Sequence, residues 1–263
     1  MRPYWELAVR GYRRKAAYLG ATLAGVFTNS IFGLMRGYVL LALLSGRGTV
    51  GGYDAADALT YTWMTQALLA TIELWAWNDV ARRVASGDVA IDLGRPIDFQ
   101  GQWLADDVGR AVYQLIFRGL PPMLLGLLLF RLRLPAAPLT WIAFALSLGL
   151  AELVSFGFRF LVNLSAFWVI DYRGIVNMVT LAGTFLSGLA IPLSFLPGWA
   201  RPVVEALPYA SMLQVPIDVF LSKHTGLDLV ATLGLQAAWA VSLLCLGRLV
   251  LRAGVGRLVV QGG

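Results

Sequence analysis

Apolar residues run through this chain in six long blocks, near 17–44, 58–79, 111–130, 137–166, 174–196 and 227–251, parted by polar passages. A bilayer core about 30 Å thick asks for roughly 20 mostly apolar residues per crossing helix. The blocks therefore predict an all-α integral membrane chain with six transmembrane helices. The fourth is long enough to tilt or to run on past the membrane surface. Ahead of the first, residues 1–18 put Tyr4, Trp5, Ala8, Val9 and Tyr12 on one helical face and Arg10, Arg13 and Arg14 elsewhere. That is the pattern of a helix lying in the membrane interface; a disordered basic leader is the other reading. The first block is too long for the apolar region of a signal peptide and reads as a retained helix.

Composition agrees with the pattern. Of 263 residues, 58% are hydrophobic and 14% charged, against about 25% charged in soluble domains. The formal net charge of +6 is explained by orientation before nucleic acid, because Lys and Arg collect in cytoplasmic loops. With a cytoplasmic amino terminus, Arg2, Arg10, Arg13, Arg14, Lys15, Arg82, Arg83, Arg95, Arg110, Arg173, Arg248, Arg252 and Arg257 fall inside. Only Arg47, Arg131, Arg133, Arg201 and Lys223 fall outside. Both termini are expected in the cytoplasm. Nineteen arginines against two lysines, with much Ala, Gly and Leu, is the composition of a GC-rich bacterial genome, so the expected location is the bacterial plasma membrane.

Two passages depart from simple spans and loops. Residues 80–110 form a long polar stretch on the cytoplasmic side. Residues 191–226 carry Pro192, Pro197, Pro202, Pro208 and Pro216, five of the eleven prolines, yet remain largely apolar. Proline removes a backbone donor and breaks helices, so no straight span fits. A re-entrant hairpin of short helical pieces does, provided neighbouring helices cover the broken backbone; a surface-lying amphipathic pair is the alternative.

Several chemistries are excluded. Neither Lys15 nor Lys223 follows a glycine, so the G-x-x-x-x-G-K-[ST] phosphate loop is absent and the chain carries no such ATP motor. The single histidine, His224, rules out paired-histidine zinc sites, and its polar loop reads as solvated. The single cysteine, Cys245, allows no internal disulfide. Asp106 and Asp107 are adjacent, so on a helix they point apart, and both read as solvated or interfacial. No catalytic residue, cofactor or metal ligand is expected.

Charges within the blocks need partners, since a charge facing lipid costs at least about 2.5–3.5 kcal/mol. Glu73, Arg118, Glu152 and Arg159 lie in the inner half of the expected membrane, with Arg36 further along the first block. Glu73 with Arg118, or Glu152 with Arg159, are within reach of each other. Ion pairs that lock helices and a polar lining for a translocation path both remain open.

Within residues 86–99, SGDVAIDLGRPIDF, Ser86 is an N-cap residue type, Asp88 falls in a first turn and Gly94-Arg95-Pro96 is a stop signal. These residues predict a cytoplasmic helix of about two turns. So short a helix is marginal alone in water, and its acidic face, Asp88 and Asp92, is repelled by anionic headgroups. A protein partner is the better companion.

The order of features resembles the permease subunits of ABC-2 type transporters, over nearly the whole chain. SGDVAIDLGRP, 86–96, resembles the family's cytoplasmic coupling helix. SGLAIPLSFLPGWARPVVEALP, 187–208, resembles its signature after the fifth span, with Ser187, Gly188, Pro192, Pro197, Trp199 and Pro208 matching. The nearest likeness is to a branch with paired, often different, permeases. The resemblance implies one permease domain, two copies of a cytoplasmic ABC ATPase as partners, a second six-span permease, and export. It implies that Asp88, Val89, Asp92, Leu93 and Arg95 dock on the ATPase. The alternative is a six-span membrane enzyme acting on a lipid, with Glu73 or Glu152 as base.

Overall fold

A computed structural model describes residues 2–46, 48–74, 77–169 and 171–257. Arg47, counted above with the outside charges, lies outside the described residues. Helix α1 spans Arg2–Ala16, α2 Leu19–Leu44 and α3 Ala55–Ile72. Two short helices follow, α4 (Asp79–Ser86) and α5 (Val89–Leu93). Helix α6 (Phe99–Gln114) runs through one π-helical turn, Leu115–Gly119, into α7 (Leu120–Leu129). Pro138–Leu164 forms α8, closed by a 3-10 turn, and Arg173–Leu186 forms α9. After a 3-10 turn at Leu193–Phe195 come α10 (Arg201–Glu205), α11 (Pro208–Met212), α12 (Gln214–Phe220) and α13 (Gly226–Val255). No β-strand occurs among the described residues.

Four helices are long and apolar enough to cross a membrane: Leu19–Leu44, Phe99–Leu129, Pro138–Phe167 and Gly226–Val255. The second and fifth apolar blocks take other forms. The block at 58–79 yields a helix that ends at Ile72, with Glu73 in the left-handed region at φ 49°. Protein encloses α3 on nearly every side, which explains its polar content: Thr60, Thr62 and Thr65 turn their hydroxyls onto the carbonyls four residues back. The block at 174–196 yields only the 14-residue α9, about 21 Å long at 1.5 Å per residue. Ser187-Gly188 then turns the chain away, Gly188 at φ 86°.

Close approaches fix how the helices pack. Trp63 of α3, fully buried, lies between Gly33 of α2 and Gly126 of α7, where an added Cβ would stand 2.9 and 2.5 Å from the indole. Gly157 brings α8 against Leu243 of α13 in the same way, at 2.9 Å. Gln236 of α13, wholly buried, donates to the carbonyls of Ser147 (3.0 Å) and Ser211 (2.8 Å) and so ties α13 to α8 and α11.

The amino-terminal helix, expected to lie in the membrane interface, is held by protein. It packs along α6, with Gly11 against the Asp106 carbonyl and Gly109 against the Ala8 carbonyl. Arg14 pairs with Asp106 at 2.6 Å. At the far end of α3, Asp54 and Asp57 form a reciprocal capping box. Arg133 grips both, at 2.7 and 2.6 Å. Burial pushes the Asp54 carboxyl up, but the Asp57 N–H and the Arg133 guanidinium outweigh it and hold the carboxyl below its ordinary range.

Gly109→Val drives a side chain into the Ala8 carbonyl, an overpacking that costs about 1–3 kcal/mol. The variant should expose α1 to trypsin at Arg13 and Arg14 faster than the parent. Gly149→Val, which meets open space, should leave the digestion rate unchanged.

Candidate functional site

The chain buries a cluster of five charges where α3, α6 and α8 meet. Asp107 and Arg110 stand one turn apart on α6, and Glu152 and Arg159 two turns apart on α8. Glu73 follows the end of α3. Arg110 lies 2.6 Å from Asp107, 2.9 Å from Glu73 and 3.0 Å from Glu152. Arg159 lies 2.7 Å from Asp107, 3.4 Å from Glu73 and 3.8 Å from Glu152. Asp107 and Arg110 are 2% and 1% exposed, burial that demands this degree of pairing. Arg110 also donates to the carbonyls of Ala70 and Thr71 at 2.8 and 2.9 Å, which satisfies acceptors that the end of a helix leaves open.

Glu152 and Arg159 therefore meet, as their spacing allowed. Glu73 joins Arg110 and Arg159 instead of Arg118. Arg118 sits on the π-helical turn against Gly25 of α2, makes no ion pair among the described residues, and its buried Nε has no partner there. Asp107 is the clearest correction. It and Asp106 do point apart, but only Asp106 turns outward, to Arg14; Asp107 turns into the cluster. Arg110 was counted with the loop charges because the apolar run starts at residue 111, whereas the helix starts at Phe99. The i,i+3 pair Asp107–Arg110 beside an apolar run was the available signal.

The cluster connects directly to the segment after α3. Arg159 stacks its guanidinium 5.3 Å from the centre of the Trp77 ring. Asn163, one turn further on, donates to the Trp77 carbonyl at 2.9 Å and accepts from the Ala81 N–H of α4 at 3.0 Å. Beneath α4, Trp77, Val80, Val89, Phe99, Phe156 and Phe160 form one apolar core.

The 86–96 stretch is built differently from the single helix expected. Ser86 ends α4, because Gly87 takes a left-handed φ of 82°, and Asp88 holds the N-cap position of the five-residue α5. Val89 is fully buried in the core beneath. Asp92, 3% exposed, is clasped by Arg83 and lies 3.4 Å from Arg95. Neither is available as a contact residue on the outer face. Leu93 is half-buried, while Asp88, Ile91 and Arg95 face outward.

The 187–208 motif lies around a second buried polar group. Gln214 of α12 accepts from the Tyr61 hydroxyl at 2.6 Å and the Leu193 N–H at 3.0 Å. Its amide donates to Tyr53 at 3.0 Å and Asp218 at 2.7 Å. Tyr53 also donates to Asp218. Buried Ser187 accepts the Gln214 N–H on its carbonyl at 3.1 Å, and the Gly188 carbonyl accepts from Tyr61 at 2.8 Å. Pro192 is buried just before the 3-10 turn and Pro208 is buried as the first residue of α11. Pro197 and Trp199 are exposed, Trp199 at 82%. His224, read above as solvated, lies 2.7 Å from Asp228.

A family model described as "ABC-2 family transporter protein" matches residues 32–262, from the middle of α2 past the end of α13. No curated protein and no solved structure matches the chain.

Removing Asp107 takes away the carboxylate nearest to both guanidiniums, at 2.6 and 2.7 Å, and leaves Arg159 only the longer contacts to Glu73 and Glu152, a loss of about 3–5 kcal/mol. Asp107→Ala should lower the melting temperature in detergent far more than Glu152→Gln. The latter keeps an oxygen for Arg110 and leaves Asp107 and Glu73 to balance the two arginines.

Proposed function

We infer, from a chain that belongs to the ABC-2 family of transporter proteins, that it is the membrane permease of an ATP-driven exporter in the bacterial plasma membrane. Two copies of a cytoplasmic ATPase power it, and a second permease, the same chain or another, completes the translocation path. The enclosed α3 and the short α9 join the four long apolar helices to make six crossings. Both termini lie in the cytoplasm, and the pieces from Pro192 to Phe220 form the re-entrant hairpin before the last crossing.

The observation that carries this reading is the α4–α5 module. Its inner side is fixed by Val89 and by Asp92 in the grip of Arg83, while its outer side presents Asp88, Ile91 and the exposed Arg95, which reaches back to Asp92 from that face. An exposed apolar residue, Ile91, between two opposite charges is a small docking face that nothing among the described residues covers. We assign the ATPase contact to Asp88, Ile91 and Arg95, with Leu93 at its edge. Force applied there passes through α4 to Asn163, from Asn163 to Trp77 and Arg159, and so to the charge cluster at the junction of α3, α6 and α8.

Changing the two outer residues that hold nothing inside, Asp88→Arg with Ile91→Asp, should weaken association with the ATPase about tenfold, the scale of one well-packed interface residue. The melting temperature of the isolated chain should stay unchanged. Unchanged ATPase association and unchanged substrate-stimulated hydrolysis would refute the docking assignment.

A further inference from the structure

The α2 flank of the molecule carries a cation with no counter-charge. Arg36 stands on α2 eight residues before its last residue, Leu44, about 12 Å from that end at 1.5 Å per residue. It donates one hydrogen bond, from a terminal guanidinium nitrogen to the Leu189 carbonyl at 2.6 Å. A guanidinium has five N–H donors, and Arg36 makes no ion pair among the described residues. Two buried carboxylates that contact α3 or its surroundings are engaged elsewhere: Asp218 with Tyr53 and Gln214, Asp57 with Arg133 and Lys223. A charge so placed in an apolar span is costly unless it is paired or meets backbone carbonyls, and the single carbonyl of Leu189 leaves most of its donors for a further acceptor.

Beside Arg36 lies a cavity of about 240 Å³ between α2, α3 and residues 189–192. A single water needs only about 10–15 Å³ on the same measure, so the space suits part of a larger molecule. Its walls divide by chemistry. Arg36 is the one charged group in a mostly apolar lining, beside Tyr61 and Thr62 whose hydroxyls are bonded to other groups; Met35, Val39 and Ile191 give the apolar side. Met35 and Val39 are 59% and 66% exposed, so the apolar side opens laterally onto the outer surface of α2, one of the helices long and apolar enough to cross a membrane.

We propose that this cavity binds an anionic amphiphile drawn from the bilayer, its carboxylate or phosphate held by Arg36 and its chain laid along Met35, Val39 and Ile191. A planar guanidinium with free donors suits such a headgroup, which it engages through two parallel hydrogen bonds. A neutral amphiphile leaves the charge unmatched, and a free anion leaves the apolar wall unfilled. That the amphiphile is the exported cargo rests on the transporter reading. Binding itself requires no ATPase, so failure of either claim is seen separately.

The test uses the full chain in phosphatidylcholine nanodiscs, titrated with oleate, oleyl alcohol or inorganic phosphate, with bound ligand counted by native mass spectrometry. Oleate should be retained, and the other two should not. Arg36→Gln should weaken oleate retention about tenfold, the scale of hydrogen bonds to a charged group, with Arg36→Lys in between. Val39→Trp, at the exposed rim, should weaken it without altering charge, and carries the test if Arg36→Gln fails to fold. Oleate binding equally to the parent and to both the Gln and Trp variants would overturn the proposal. So would equal retention of oleyl alcohol, or of phosphate alone.

Discussion

Asp107 shared between Arg110 and Arg159 is the contact on which the rest of this structure depends. Burying five charges among apolar helices is unfavourable unless each finds partners, and here each does, from three different elements. Arg110 bonds the carbonyls that end α3, Arg159 reaches from α8, and Glu73, whose own left-handed backbone terminates α3, turns into the group. The cluster thereby sets the length of α3, the register of α6 against α8, and the place where the chain leaves the bundle for α4.

That placement gives the molecule two differently built ends. At one end, Asn163 and Trp77 carry the cluster outward to α4, whose apolar underside seals against α8 while α5 keeps an uncovered outer face. At the other, Gln214 gathers Tyr53, Tyr61, Asp218 and the turn at Ser187-Gly188 into a second buried group, so that several short helices stay packed despite their prolines. Broken backbone survives in an apolar setting only when covered in this way. Between the two ends runs α3, polar for a span because protein rather than lipid surrounds it.

Much of this was legible in the apolar pattern. The limits of α2, α8 and α13 fall within a few residues of the blocks at 17–44, 137–166 and 227–251, because α2 and α13 face the surroundings along their length, and α8, largely exposed in its first half and enclosed from Ala151 onward, stays mostly apolar throughout. Enclosed elements were harder. The pattern carried the second block past Ile72 because Leu74, Trp77 and Val80 continue the apolar run. Trp77 and Val80 instead belong to the core under α4, Leu74 packs on the larger core around α3, and Glu73 ends the helix. Ser86 was an N-cap type, but Gly87 made it a terminus. Val89 and Asp92 matched the coupling-helix pattern by position; the pattern could not tell which face of α5 turns inward. Arg110 and Asp107 were hidden because hydropathy averages erase a charge pair at the start of a long helix, where only tertiary contact reveals burial.

The most direct measurement is native mass spectrometry of the assembly extracted in mild detergent, with this chain tagged at its own locus. The account predicts a particle with two ATPase subunits that carry the phosphate-binding loop this chain lacks, together with two permease subunits. Recovery of the chain alone, or only with further copies of itself, would contradict it.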